Sequence, residues 1–215
     1  AAQHLRSSKE LGEKAELPVW RYQWCIAQAR LNESRGDLEA ALAMLAEAER
    51  LYIRSPLPDF CPLSAMKARI WVAQGKLTKS LEWVREQGLA PDDDLSYLHE
   101  FEHITLARIL IAHDQDDRLA DSISAALRLL ECLLHAAEEG RRIGSVIEIL
   151  ILQARAYQAK GNTSAARAAL DRALTLAEPE GYVRIFADEG ESMRWLLEKQ
   201  AHGRAHQPIG YAAQL

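Results

Sequence analysis

Between Leu150 and Ala177 the sequence LILQARAYQAKGNTSAARAALDRALTLA specifies two antiparallel helices joined by a tight turn, and earlier parts of the chain restate its pattern. Small residues at Ala154 and Ala166 let the helices approach closely. Gly161 takes the left-handed geometry that ends the first helix, while Tyr157 and Leu170 fill the seam. A single pair of this kind cannot bury its apolar faces by itself and must stack on copies. A chain organised this way is a helical array, and such arrays hold things.

Counted in the register of a tetratricopeptide-type unit, Ala154, Tyr157, Gly161, Ala166, Leu170 and Ala173 take relative positions 8, 11, 15, 20, 24 and 27. Ala29, Gly36, Ala41, Leu45 and Ala48 take positions 8, 15, 20, 24 and 27 of an earlier copy. The next copy places Ala68, Gly75, Ser80 and Val84 at positions 8, 15, 20 and 24, with Ala68 lying 39 residues beyond Ala29. Ala107 follows 39 residues later, but Asp114 replaces the glycine, and HDQDDRL reads as a longer turn. Ala154 follows after 47 residues, an interval filled by periodic helices through Ile123, Leu130, Leu134, Ile143 and Ile147. The period therefore exceeds the ordinary tetratricopeptide length of roughly 34 residues.

Ahead of the first copy, residues 1–16 read as the remnant of a preceding helix, and Pro18 marks a helix start. Trp20, Trp24, Ala27 and Leu31 then form one stripe, answered by Leu38, Ala41, Leu42, Leu45 and Ala48 in the next helix. Two loops interrupt the array: SPLPDFCP, denied a helix by three prolines, and QGLAPDDDLS, where Gly88 and Pro91 stop one helix and Asp94 or Ser96 caps the next. After Ala177 the segment EPEGYVRIFADEG breaks the period, and residues 191–200 form a last short helix presenting Trp195 and Leu196. The expected organisation is a repeat array over 1–178 and a capping helix with tail over 179–215, all one domain.

A formal charge of −5 with 27% charged residues argues against a surface built for nucleic acid. Cys25, Cys61 and Cys132 are odd in number and far apart, so no disulfide framework or thiolate zinc site is indicated. No apolar run reaches membrane-spanning length and the N-terminus lacks a secretory core, which places the chain in the cytoplasm.

Leu95 to Ala112, LSYLHEFEHITLARILIA, and Leu170 to Leu197, LDRALTLAEPEGYVRIFADEGESMRWLL, resemble the superhelical sensor region of the large LuxR-type, MalT-like bacterial transcription regulators. With the helix-pair pattern, the resemblance covers most of the chain. It implies an all-α, right-handed superhelix of tetratricopeptide-like antiparallel helix pairs, an α-solenoid. It also implies an ATP-binding module ahead of this region and a helix-turn-helix after it. These residues contain no G-x-x-x-x-G-K-[ST] and no recognisable DNA-reading helix pair, so the chain is expected to correspond to an excised sensor domain without cofactor. The family's ATP and DNA sites map onto no residue here.

Two constellations invite functional readings. His99-Glu100-Phe101-Glu102-His103 satisfies H-E-x-x-H, the helical string of zinc peptidases. Leu106 and Ile109 stand where the extended form wants Gly and His, which excludes a metzincin, although Glu131, Glu138 or Glu139 would supply a third ligand in principle. The string also falls inside a repeat helix, and the reading preferred here rejects His99, Glu100 and His103 as metal ligands. The second constellation is a recurring cation: Arg30, Arg69, Arg108 and Arg155 each follow the close-packing alanine. One reading is a ladder of guanidinium forks for an anionic ligand or acidic peptide. The other pairs each with a carboxylate such as Glu33, Glu102 or Glu148. Trp24 and Trp71 pose the same choice between ligand contact and helix seam, whereas the remaining tryptophans read as core.

The sequence therefore predicts a non-enzymatic sensor or partner-binding domain of a transcription regulator. It would receive a small-molecule inducer or a regulatory protein, contact other modules of its own chain, and touch neither DNA nor membrane. A stand-alone helical adaptor is the alternative, and a zinc peptidase the remote one.

Overall fold

The computed structural model describes residues 2–15, 19–52, 59–117 and 120–203, and these form helices and connecting turns with no strand among them. In chain order the helices are α1 (Ala2–Ala15), α2 (Trp20–Glu33), α3 (Leu38–Arg50), α4 (Leu63–Ala73) and α5 (Leu77–Gln87). A 3-10 turn, Tyr97–His99, leads into α6 (Glu100–Asp117), followed by α7 (Ala120–Glu139), α8 (Ile143–Ala159), α9 (Thr163–Ala177), α10 (Arg184–Ala187) and α11 (Glu191–Gly203). The chain forms two compact units, Ala1–Leu89 with Ser96–Thr105, and Ala90–Leu95 with Leu106–Leu215. The expected boundary at 178 falls inside the second.

In the first unit, α2 packs on α3, α3 on α4 and α4 on α5, with α1 laid against α2. Its core joins Cys25, Ala29, Ala41, Leu45, Ala48, Leu63, Met66 and Ile70. In the second, α8 is central. It packs against α7, α9 and α10, and its buried residues run almost without break from Val146 to Ala156. A helix apolar on every side is buried on every side.

The pair register is physical. Ala29, Ala68, Ala107 and Ala154 are at most 1% exposed, and so are Ala41, Ser80, Leu170 and Ala173. The Ser80 hydroxyl donates to the Ala68 carbonyl at 3.5 Å, a contact between positions 20 and 8 of one pair. Gly36, Gly75 and Gly161 all have φ between +70° and +78°. Asp37 and Asn162 follow two of them, and each side chain accepts the amide three residues on at 3.1 Å, closing the next helix start.

Three local expectations need correction. Ala27 is exposed, and the buried face of α2 runs through Cys25 and Ala29, leaving the tryptophans half-buried beside it. Residues 113–117 are helical rather than part of a long turn, because HDQDD contains neither glycine nor proline to stop α6; Arg118 and Leu119 lie outside the described residues. Of the two expected caps it is Ser96 that serves, accepting from the Leu98 amide at the 3-10 turn, and in the loop before it Asp93 accepts from the Ala90 amide. Trp195 is exposed rather than core. The proline-rich stretch 53–58 also lies outside the described residues.

The α7–α8 connection reproduces the pair turn without its glycine. Arg141 has φ +52°, and its amide and that of Arg142 donate to Glu138 and Ala137 carbonyls as the Gly36 turn does to Glu33 and Asn32. The glycine stands one position earlier, where Arg142 folds back to the Ala136 carbonyl, and a Cβ on Gly140 would make that flexible side chain move aside.

Candidate functional site

In the first unit, α1, α2 and α3 enclose a half-open cavity of about 610 Å³, within the roughly 300–1,000 Å³ of small-molecule sites. Trp20, Trp24 and Met44 supply its apolar walls. Trp24 is fixed by its indole N–H, which donates to the Leu5 carbonyl at 3.0 Å, and the Trp20 ring lies so close to Gly12 that a Cβ there would meet it at 2.5 Å. At the rim Arg21 and Arg50 converge on the two oxygens of Glu47, at 2.9 and 2.6 Å, and the Lys9 ammonium stands 5.4 Å from the Trp24 ring centre. Flat apolar walls with charged hydrogen-bonding groups at the edge suit a small organic molecule with one flat face and one polar edge. Trp71 lies on α4, half-buried, and does not line this cavity.

The recurring arginines differ in setting. Arg30 is exposed and donates to the Cys61 sulfur at 3.6 Å. Arg69 stacks on the Phe101 ring, 3.7 Å from its centre, while its Nε donates to the Thr105 hydroxyl at 2.8 Å. In the second unit Arg108 and Arg155 come together on Glu189, from the turn after α10. Its carboxylate accepts from Arg108 at 2.6 Å and from Arg155 at 2.5 Å, and Glu148 accepts from Arg108 at 3.0 Å. The Glu189 side chain is only 4% exposed.

Burial alone would raise the Glu189 carboxyl, but Arg108 and then Arg155 outweigh it and hold the group below its ordinary value of 4.5. Burial lowers Arg155, which Glu189 only partly offsets and the neighbouring Arg108 reinforces. Arg108 would likewise be lowered by burial, yet Glu189 and Glu148 carry it above the usual arginine value. A carboxyl depressed in the folded state contributes stability that is full above its unfolded value and is lost as pH falls through the folded one. Amide resonances of Val183–Ala187 should therefore hold steady from about pH 7 down to about 5 and shift only below about 4.5. A midpoint at or above 4.5 would contradict this arrangement.

His99 ends the 3-10 turn, outside α6, and its Nδ1 lies 2.5 Å from Glu102. The His103 ring is buried, with Nδ1 2.9 Å from the His99 carbonyl. Glu131 accepts from Gln153, Glu138 pairs with Arg172, and Glu139 with His135. Among the described residues no three of His, Cys, Asp and Glu come together as a metal ligand set. The string is divided between two elements instead of sharing one helix face.

Sequence reasoning passed over Glu189, Glu47, Arg21 and Arg50. For Glu189 the signal was weak: it follows the apolar run Ile185-Phe186-Ala187 by two positions, but beside Asp188 and Glu191 nothing marks it out as the carboxylate that the register arginines share.

Close antiparallel helix pairs, a register of buried small residues and left-handed glycine turns define a tetratricopeptide-like helical repeat region, a class that generally carries no catalysis. The chain belongs to the MalT-like TPR region family, whose model matches residues 1–203. It is 28% identical over 188 residues to the HTH-type transcriptional regulator MalT of Klebsiella pneumoniae subsp. pneumoniae, and equally to that of Klebsiella pneumoniae strain 342. The matched stretch is 85% of this chain and 20% of each relative, so the chain spans about a fifth of the length of the curated relatives it matches. Among the described residues no helix is long and apolar enough to cross a membrane.

Proposed function

We propose that this chain is the signal-receiving region of a LuxR-type, MalT-like transcription regulator. It takes a small-molecule inducer or a regulatory protein and passes that occupancy to other modules of the same polypeptide. The observation that carries the reading is the family match over residues 1–203 in a chain equivalent to a fifth of its regulator relatives. Within the region, the cavity walled by Trp20 and Trp24 is the seat for a small inducer, and the arginine register is the seat for carboxylates. The region catalyses nothing itself, works in the cytoplasm, and leaves ATP and DNA to the modules that accompany it.

Two measurements test this. The complete reading frame should encode G-x-x-x-x-G-K-[ST] ahead of Ala1 and a helix-turn-helix beyond Leu215; a frame lacking both favours a stand-alone adaptor. In fluorescence anisotropy the isolated chain should show no promoter binding that survives roughly 0.2 M salt, where non-specific attachment is strongly weakened. Specific binding at that salt would mean that the region reads DNA itself.

A further inference from the structure

We infer that Arg108 and Arg155 form a carboxylate-binding seat that the chain's own Glu189 fills, and that an acidic partner segment with an aromatic residue three positions before its carboxylate takes this seat by displacing α10. The inference rests on the partner-receiving reading above and gives it a partner chemistry.

Three observations converge. Arg108 and Arg155 stand at the same register position on α6 and α8, so the repeats place both forks, whereas the carboxylate they share comes from a segment outside the repeat period. Both guanidiniums reach Glu189 through Nη1, and the Nε of each is buried with no hydrogen-bond partner. A carboxylate approaching the Nε edge would satisfy donors that Glu189 leaves unused, since the guanidinium fork is built for two parallel bonds. Finally, the segment that supplies Glu189 is lightly built. The helix α10 is a single turn between Gly181 and Gly190, both at positive φ, and Tyr182, Val183, Arg184, Ala187 and Asp188 are exposed. Phe186, 1% exposed, and Glu189 are its deepest anchors.

Exchange is easier here than vacancy. Emptying the seat would take from two buried guanidiniums the carboxylate they share and leave Glu148 to Arg108, a costly state, but replacing one carboxylate by another keeps the charge balance throughout. A partner carrying Phe-x-x-Glu reproduces both anchors, and seating it frees α10 and the turns beside it. Partner binding and release of the C-terminal segment are then one event.

The test uses the full chain and a fluorescein-labelled peptide of residues 181–192, GYVRIFADEGES, as probe. Wild type, its seat filled in cis, should bind weakly. Glu189→Gln and, independently, Phe186→Ala should bind at least about tenfold tighter, with Arg155→Gln in either background removing the gain; tenfold corresponds to about 1.4 kcal/mol. A peptide with Gln in place of its Glu should lose the affinity. The inference is overturned if both variants bind no better than wild type, or if the Gln peptide binds as well as the Glu peptide. It is equally overturned if both variants lose their helical circular dichroism, since the segment would then be inseparable from the fold. Exchange without regulator modules in the reading frame would leave the seat standing and remove the regulator reading; the reverse result would do the opposite.

Discussion

Arg108→Ala should lower the unfolding free energy by about 3–5 kcal/mol in urea titration, because removing one partner of a buried ion pair strands the other in low dielectric. Here the groups that lose their partner are Glu148 and Glu189, of which Glu189 keeps Arg155, within a site where the arginine side chains are 14% exposed. Outward swing of the Glu189 turn relieves part of this and pulls the loss toward the lower end of the range. Arg30 occupies the same register position but lies exposed against a sulfur, so Arg30→Ala should stay within about 0.5 kcal/mol of the parent. Equal effects at the two positions would mean that the register, and not the buried carboxylates, sets their contribution.

Leu170→Ala should cost about 2–5 kcal/mol, the range for truncating a fully buried leucine whose surroundings collapse only partly. Leu170 is fully buried in the seam between α8 and α9, the most closely joined helices of the second unit. The cavity cannot close easily, because α8 is held by α7 on its other side and by α10. Thermal unfolding followed by circular dichroism gives the value, and a loss below about 1 kcal/mol would show that the seam is loosely packed.

The parts of the fold legible in the sequence were those set by local geometry. The left-handed turns at Gly36, Gly75 and Gly161 and the buried alanines at 29, 68, 107 and 154 follow from what small residues permit between helices. Arg141 was illegible for the same reason: its positive φ is imposed by the helices on either side, and its own side chain gives no hint of it. The α2 stripe was misplaced because Trp20 and Trp24 are apolar enough to set a period yet too large for the closest contact, which falls to Cys25 and Ala29. Arg108 and Arg155 could be singled out by register. Their meeting point could not, since Glu189 lies 34 residues beyond Arg155 in a segment with no period to fix its position. The cavity beside Trp24 was hidden likewise, for its charged rim pairs Arg21 with Glu47, 26 residues apart on separate helices.

The claim on which the rest stands is that buried small residues set the approach of paired helices, and Ala154→Leu beside Ala159→Leu tests it most directly. Ala154 is fully buried on α8, while Ala159, five positions on, is exposed near its end. The same added side chain must push α8 from its neighbours at the first position and meets water at the second. Overpacking of this kind costs about 1–3 kcal/mol, and in an array of stacked units the damage should appear as early melting of the C-terminal part. The expected result in paired thermal and urea unfolding is a lowered midpoint for Ala154→Leu and a parent-like one for Ala159→Leu. Parent-like unfolding of Ala154→Leu would contradict the register and with it the helix-pair organisation of the chain.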